Sequence, residues 1–160
     1  MNDRRVVFDC NIYAQAMLNP AGPAGRCVEL ARTGRVKLFV SEFILEEISE
    51  LHLKLPARAA ITAEDTEDLV QVVRSIATVL DPVPAVYIHP IDPDDSPYID
   101  LAIAASAELI VSRDKHLLGL VDTAKPWADE FRTRFSDIRV LTPDQFLAEQ
   151  RIALEGSGGL

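Results

Sequence analysis

The chain has few of the residues that define several common classes of protein. Its 160 residues include only two cysteines and three histidines. Cys10 and Cys27 allow at most one disulfide bond, and we interpret both as free thiols in a reducing cytoplasm. The histidines (His52, His89 and His116) show no spacing typical of a metal site, so a zinc centre built from Cys and His ligands is excluded.

Long apolar runs are also absent. No segment approaches the roughly 20 apolar residues that a membrane-spanning helix needs, and residues 1–5 do not resemble a signal peptide. We therefore expect a cytoplasmic protein with no membrane contact. Apolar residues make up 48% of the chain, enough for one folded domain of this length. We predict a single domain over residues 1–150 and a flexible tail over residues 151–160.

Positive charge is scarce as well. The chain has 16 Lys and Arg residues against 25 Asp and Glu residues, for a net charge of −9. This balance argues against broad, sequence-independent binding of nucleic acids, which depends on neutralising phosphates with Lys and Arg. It does not exclude an enzyme that acts on nucleic acids, because a bound metal ion would neutralise a cluster of acids locally.

Strand and helix patterns alternate along the whole chain. This alternation predicts an α/β fold, in which a central, mostly parallel sheet is flanked by helices. The predicted strands are 4–9, 36–40, 86–88, 109–112 and 139–141. The predicted helices are 12–18, 24–33, 42–53, 62–80, 97–105, 115–120 and one that begins at 142.

Five acidic residues lie next to predicted strand ends or helix starts: Asp9, Glu47, Asp95, Asp100 and Asp114. Asp9 and Asp114 both follow strands, and ligands of open α/β sheets bind outside the carboxyl ends of the strands. Any one of the five is more often a turn or cap residue than a catalytic one. Their combined positions are what favour a common site.

The remaining acids leave alternatives open. Asp95 and Asp100 bracket the start of a helix, where the helix dipole favours anions. Glu47 lies on a helix that also carries Glu46 and Glu50 on other faces. Carboxylate oxygens suit Mg²⁺ or Mn²⁺, and such ions support phosphoryl transfer. The acids therefore suggest a hydrolase of phosphodiesters.

The acids belong to longer segments that occur in a fixed order along the chain. These segments are Val6-Val7-Phe8-Asp9-Cys10-Asn11-Ile12-Tyr13, Leu45-Glu46-Glu47-Ile48, Asp92-Pro93-Asp94-Asp95 with Tyr98-Ile99-Asp100-Leu101-Ala102, Leu109 to Leu118, and Leu141 to Leu147. Taken together, they resemble PIN domains. The resemblance covers roughly residues 4–148 and is greatest to the PIN proteins classed as toxin components of toxin–antitoxin systems, similar to VapC.

This resemblance implies an endoribonuclease that needs Mg²⁺ or Mn²⁺ and a cognate antitoxin protein that restrains it. It also implies a homodimer. The implied catalytic residues are Asp9, Glu47, Asp95, Asp100 and Asp114, of which the four aspartates would bind the metal. Within the pair at the helix start, Asp100 would face the metal and Asp95 would lie behind it or at the entrance.

The resemblance also implies roles for the neighbours of these acids. Asn11 would orient Asp9, and Ser112 would occupy the hydroxyl position before the last acid. Arg113 and Lys115 could contact phosphate, although a solvated loop is an equally good interpretation. The chain departs from the family pattern in two places, since Cys10 replaces the usual Thr or Ser and Arg113 replaces a common Gly.

Other functions compete with this interpretation. A phosphatase of the haloacid-dehalogenase type also begins with Asp after a strand, but it needs Asp-x-Asp, and residue 11 here is Asn. A catalytically silent PIN-like binding module would keep the fold without metal-dependent activity, and the full set of acids argues against it. A structure-specific DNA nuclease would need helical insertions for which the chain has little room.

Overall fold

The predicted α/β fold is confirmed. A computed structural model describes residues 4–158, with side chains described up to residue 153. Five parallel strands form one sheet in the order β3-β2-β1-β4-β5. The strands are β1 (Arg5–Phe8), β2 (Lys37–Ser41), β3 (Ala77–Leu80), β4 (Leu109–Val111) and β5 (Arg139–Leu141).

Helices connect the strands and cover the sheet. They are α1 (Cys10–Leu18), α2 (Pro23–Arg32), α3 (Glu42–Ser49), α4 (Leu51–Lys54), α5 (Ala63–Ile76), α6 (Ser96–Ala104), α7 (Lys115–Leu118), α8 (Asp129–Arg134) and α9 (Pro143–Gly158). Consecutive residues of the central strands, such as Val6 and Val7 of β1 or Leu109 and Ile110 of β4, are fully buried. Because successive side chains of a strand point to opposite faces, both faces of the sheet are covered.

The prediction for the third strand is wrong. β3 is Ala77–Leu80, which the apolar pattern assigns to the end of the preceding helix, and it pairs with residues 38–41 of β2. Residues 86–88 form no strand. The backbone N–H groups of Val86 and Tyr87 instead donate to Oδ1 of Asp100, at 2.9 Å each. A side chain therefore satisfies the backbone groups that a neighbouring strand would otherwise bind.

The last helix extends into the segment that the sequence analysis assigns to a tail. The predicted flexible tail begins at residue 151, but α9 continues to Gly158. Residues 159 and 160 lie outside the described residues. Within residues 4–158, no helix is both long and apolar enough to cross a membrane.

Strand register determines where the candidate site lies. Phe8 at the end of β1 pairs with Val111 at the end of β4, and the backbone N–H of Asp9 donates to the Val111 carbonyl at 3.2 Å. The residues that follow the two strands therefore lie side by side at the carboxyl edge of the sheet. This places Asp9 next to Ser112.

Candidate active site

Asp9 is the most constrained carboxylate at this edge. Its side chain is only 3% exposed and caps α1, because Oδ1 accepts hydrogen bonds from the backbone N–H groups of Asn11 at 2.8 Å and Ile12 at 3.2 Å. The Ser112 hydroxyl donates to Oδ2. Asn11 thus orients Asp9 through its backbone, while its own side chain is exposed.

Asp114 is tied to Asp9 through Ser112. The backbone N–H of Asp114 donates to the Ser112 hydroxyl oxygen at 2.9 Å. The Asp114 carboxylate caps α7 by accepting from the backbone N–H of His116 at 2.7 Å. The Ser112 hydroxyl therefore links two acids that are 105 positions apart in the chain.

Glu47 reaches the same pocket from α3, whereas Glu46 and Glu50 are exposed. Its Oε1 accepts a hydrogen bond of 2.7 Å from the Tyr98 hydroxyl. That hydroxyl in turn accepts one of 3.2 Å from the backbone N–H of Cys10. Tyr98 is buried and connects α6, α3 and the start of α1 at the site. Sequence reasoning missed it, although it lies on the helix that begins beside Asp95.

Removing the Tyr98 hydroxyl tests this connection. We expect Tyr98→Phe to weaken metal binding by roughly 10- to 100-fold, as loss of a group that orients a ligand usually does. The cost in unfolding free energy should be only about 1 kcal/mol, typical for one hydrogen bond. Metal titration and denaturant unfolding measure the two effects. Tyr87→Phe is the matched control, because Tyr87 packs against aromatic rings elsewhere. Equal metal affinity in the wild type and Tyr98→Phe would contradict this role.

The structure places Asp95 and Asp100 in different surroundings. Asp95 lines the pocket with Asp9, Glu47 and Asp114. Asp100 instead binds the backbone of residues 86 and 87 and borders a different cavity. The Asp100 carboxylate thus holds an extended segment of the fold and is not part of the pocket lining that contains Asp95.

The pocket has a volume of about 280 Å³. Its polar lining includes Asp9, Asn11, Glu47, Asp95 and Asp114, with Cys10 and Lys54 beside them. Cys10 and Cys27 are free thiols, as expected. Burial, followed by the negative charge of Glu47, raises the pKa of the Cys10 thiol to about 12, so this cysteine stays neutral.

Two acids of this pocket, Asp9 and Asp95, are costly to ionise without a nearby cation, mainly because they are buried. Burial is the main cause that raises the pKa of Asp9 to about 6, against hydrogen bonds that lower it. Burial also raises the pKa of Asp95 to about 7, with Asp114, Asp92 and Asp9 adding negative charge. Among the residues that the structure describes, the buried Oδ2 of Asp95 finds no hydrogen-bond partner. Since buried acceptors are normally satisfied, these residues fit a divalent metal ion with oxygen ligands.

The basic neighbours lie outside this lining. Arg113 and Lys115 are exposed, and Arg113 borders a separate cavity together with Gln15 and Asn19. His116 has neighbours that its position in the sequence does not reveal. The spacing of the three histidines along the chain does not suggest a metal site, but the fold brings His116 close to Asp92 and Asp95.

Comparison with known proteins agrees with this architecture. A family model described as PIN domain matches residues 5–116. Uncharacterized protein MJ1680 of Methanocaldococcus jannaschii is 26% identical over 146 residues, which cover 91% of this chain and 90% of that protein. A chain in the crystal structure of VapBC2 from Rickettsia felis, bound to a DNA fragment from their promoter, has a TM-score of 0.53 at 14% identity and covers 86% of this chain and 98% of that chain.

The two kinds of match support different conclusions. At 14% identity the likeness to VapBC2 concerns the fold alone. The family model spans residues 5–116, which is more than half of the chain and includes Asp9, Glu47, Asp95 and Asp114. The chain therefore belongs to the PIN domain family.

Proposed function

We propose that this protein is a metal-dependent endoribonuclease that hydrolyses RNA phosphodiester bonds and acts as the toxin of a type II toxin–antitoxin pair. The observation that carries the proposal is the lining of a single pocket by Asp9, Glu47, Asp95 and Asp114. With Asp94, five carboxylates line this pocket, and they repel one another unless a cation neutralises them. Mg²⁺ or Mn²⁺ is the natural occupant of a site built from oxygen ligands.

Asp9, Asp95 and Asp114 would hold the ion, and Glu47 would complete the acidic set. A divalent ion in such a site lowers the pKa of water and stabilises the leaving oxygen of a phosphodiester. Hydrogen bonds within the chain hold two of these carboxylates in position. Ser112 and two backbone N–H groups fix Asp9, and the Tyr98 hydroxyl fixes Glu47.

The substrate must be attracted despite the net charge of −9. Lys54 lies in the pocket lining itself, and we assign contacts with RNA phosphates to it and to the exposed Arg113 and Lys115. The toxin assignment, the cognate antitoxin, the homodimer and the cytoplasmic location come from the resemblance to VapC-like PIN proteins. The fold shared with VapBC2 is consistent with them.

RNA cleavage tests the enzymatic part of the proposal. A labelled pool of mixed RNA is incubated with the protein and Mg²⁺, Mn²⁺ or EDTA, beside Asp9→Asn and the surface control Asp68→Asn. We expect cleavage with either metal, none with EDTA, and a loss confined to Asp9→Asn. Cleavage in EDTA, or equal activity of Asp9→Asn, would contradict the assignment. A folded protein that neither binds Mn²⁺ nor cleaves RNA would be a silent PIN module.

The toxin part needs a second arm of the same assay. The protein encoded by a small reading frame beside this gene is added to the reaction. An antitoxin is expected to bind the nuclease and to inhibit cleavage in proportion to the complex formed. Full cleavage in the presence of a stable excess of that protein would separate the nuclease from a toxin–antitoxin role.

A further inference from the structure

A buried histidine joins two segments that supply acids of the pocket. His89 is fully buried and lies in the loop between β3 and α6. Its Nδ1 accepts hydrogen bonds from the backbone N–H groups of Ile91 at 3.1 Å and Asp92 at 3.0 Å. Because these bonds use the lone pair of Nδ1, the proton of the neutral ring is on Nε2, which donates to the His116 carbonyl at 2.9 Å. Both ring nitrogens are therefore used within the protein.

On one side, His89 holds the start of α6. The Asp92 carbonyl accepts from the backbone N–H of Asp95 at 3.0 Å, so the turn that the His89 ring binds continues directly into this acid. The backbone N–H of His89 also donates to the Ser96 hydroxyl oxygen at 2.8 Å. Asp95 lies between these two attachments. Its backbone is therefore fixed relative to His89.

On the other side, His89 holds the helix that Asp114 caps. The carbonyl that accepts from Nε2 belongs to His116 of α7, and the Asp114 carboxylate is the N-cap of that helix. The two segments also meet through the side chains of His116 and Asp92. That contact is long, at 3.4 Å, and partly exposed, and such pairs stabilise little. The buried imidazole is thus the stronger connection between the segments.

Asp95 depends on this connection more than the other acids do. Asp9 and Asp114 are joined through Ser112, and Glu47 is held by a tyrosine hydroxyl. Among the side chains that the structure describes, none joins the Asp95 carboxylate to these acids by a hydrogen bond. The separation of the Asp95 and Asp114 carboxylates is therefore set by how their two segments are attached.

Packing also fixes the orientation of the His89 ring. The centroid of the Trp127 ring lies 5.1 Å from that of His89. A Cβ atom on Gly119 would lie 2.8 Å from the Trp127 ring, so a larger residue at position 119 would displace this ring. Gly119 and Trp127 thus have a role in keeping the imidazole where both of its nitrogens find their partners.

We propose that His89 is a positioning residue of the acidic pocket, which sets the separation of the Asp95 and Asp114 carboxylates by joining the loop before α6 to α7. The inference rests on the proposed function in one respect, namely that these carboxylates hold a metal ion. His89 acts on them through their backbone. Loss of a group that orients metal ligands in this indirect way usually lowers metal affinity by roughly 10- to 100-fold.

Mn²⁺ titration of two variants tests this role, with free Mn²⁺ measured by electron paramagnetic resonance. His89→Asn keeps an acceptor near the position of Nδ1 but loses the donor to the His116 carbonyl. His89→Gln keeps a donor near the position of Nε2 but loses the acceptor. We expect each to weaken Mn²⁺ binding by roughly 10- to 100-fold, because each leaves one segment unattached. The control His52→Gln alters a histidine that contacts the Ser49 carbonyl instead, and it should bind Mn²⁺ like the wild type.

Hydrogen exchange in the metal-free protein, followed by NMR, tests the attachment itself. The amides of Ile91 and Asp92 should be protected in the wild type and in His89→Asn, and should exchange faster in His89→Gln. Urea unfolding of the same proteins gives their stability. A residue that only stabilises the fold would lower the free energy of unfolding and leave the Mn²⁺ affinity of the folded protein unchanged.

The outcomes separate this inference from the proposed function. A wild type that binds Mn²⁺ no more tightly than both folded His89 variants would overturn the positioning role and leave the nuclease proposal standing. A wild type that binds no Mn²⁺ would overturn the proposed function and this inference with it. If the His89 variants do not fold, Ser96→Ala removes one attachment of the same loop. It should weaken Mn²⁺ binding roughly fivefold, and unchanged affinity would overturn the inference.

Discussion

Asp95→Asn is expected to lower metal-dependent RNA cleavage by roughly a thousandfold, because a lost metal ligand removes several kcal/mol of transition-state stabilisation. Asp95 lines the pocket with Asp9, Glu47 and Asp114. The isosteric change Asp100→Asn is expected to leave cleavage within about threefold of the wild type, or under 1 kcal/mol in activation free energy, because Asp100 does not line this pocket. Its amide oxygen can still accept from the backbone of residues 86 and 87.

This matched pair distinguishes the two assignments of the third acid. Both variants replace one buried carboxylate at the start of α6 by an amide of the same shape. Cleavage rates at saturating Mg²⁺, measured on proteins shown to be folded by circular dichroism, give the comparison. If Asp100→Asn were inactive and Asp95→Asn active, the metal would face Asp100, and the assignment made from the pocket geometry would be wrong.

The second large effect concerns stability. In EDTA, the protein is expected to be less stable at pH 8 than at pH 5. Burial raises the pKa of Asp9 from its ordinary value of 3.8 to about 6, and that of Asp95 from 3.8 to about 7. The folded state therefore binds more protons than the unfolded state between about pH 4 and pH 7, so stability falls as pH rises through this window.

The size of the effect follows from the same shifts. Since each pKa unit corresponds to about 1.4 kcal/mol, the Asp9 shift implies a loss on the order of 3 kcal/mol from strong acid to pH 8, of which roughly half falls between pH 5 and pH 8. Asp9→Asn should remove this pH-dependent loss of stability, because the Asn side chain does not ionise. The cap of α1 should be kept, since Asn also caps helices well. We thus expect Asp9→Asn to be more stable than the wild type at pH 8 in EDTA. Urea denaturation at pH 5 and pH 8 measures both differences, with Asp68→Asn as the control.

The ion pairs of Glu149 and the addition of Mn²⁺ affect the measured stability in different ways. Glu149, paired with Arg139 and Arg4, has its pKa lowered to about 2, so the stability from these ion pairs is lost only in stronger acid, below about pH 4. Saturating Mn²⁺ should reverse the loss at pH 8 in the wild type, because ligands that bind only the folded state stabilise it. Equal stability of the wild type and Asp9→Asn at pH 8 in EDTA would contradict the account.

Sequence reasoning predicts the central features of this protein because they depend on short-range patterns. The apolar runs of β1 and β4 are buried on both faces, and such runs predict interior parallel strands. Asp9 and Asp114 follow these two strands. Once the strands are neighbours in a parallel sheet, their carboxyl ends meet, and the PIN resemblance identifies the family that is now confirmed.

The features that were not predicted depend on contacts between distant segments. β3 has an apolar pattern that also suits a helix, and only its pairing with β2 distinguishes the two. Asp95 and Asp100 are five residues apart, which on a helix of about 3.6 residues per turn turns their side chains to different sides. Which side faces the pocket depends on the packing of α6. Tyr98 and His116 likewise acquire partners only through the fold.

The account rests on a cation bound by the acids of one pocket, and its location can be measured directly. Crystals grown with Mn²⁺ give an anomalous difference map at the manganese edge. We predict a peak in contact with the carboxylates of Asp9, Asp95 and Asp114, and none beside Asp100. A protein that cleaves RNA in Mn²⁺ while its crystals show no peak in this pocket, or show one at Asp100, would contradict the central claim.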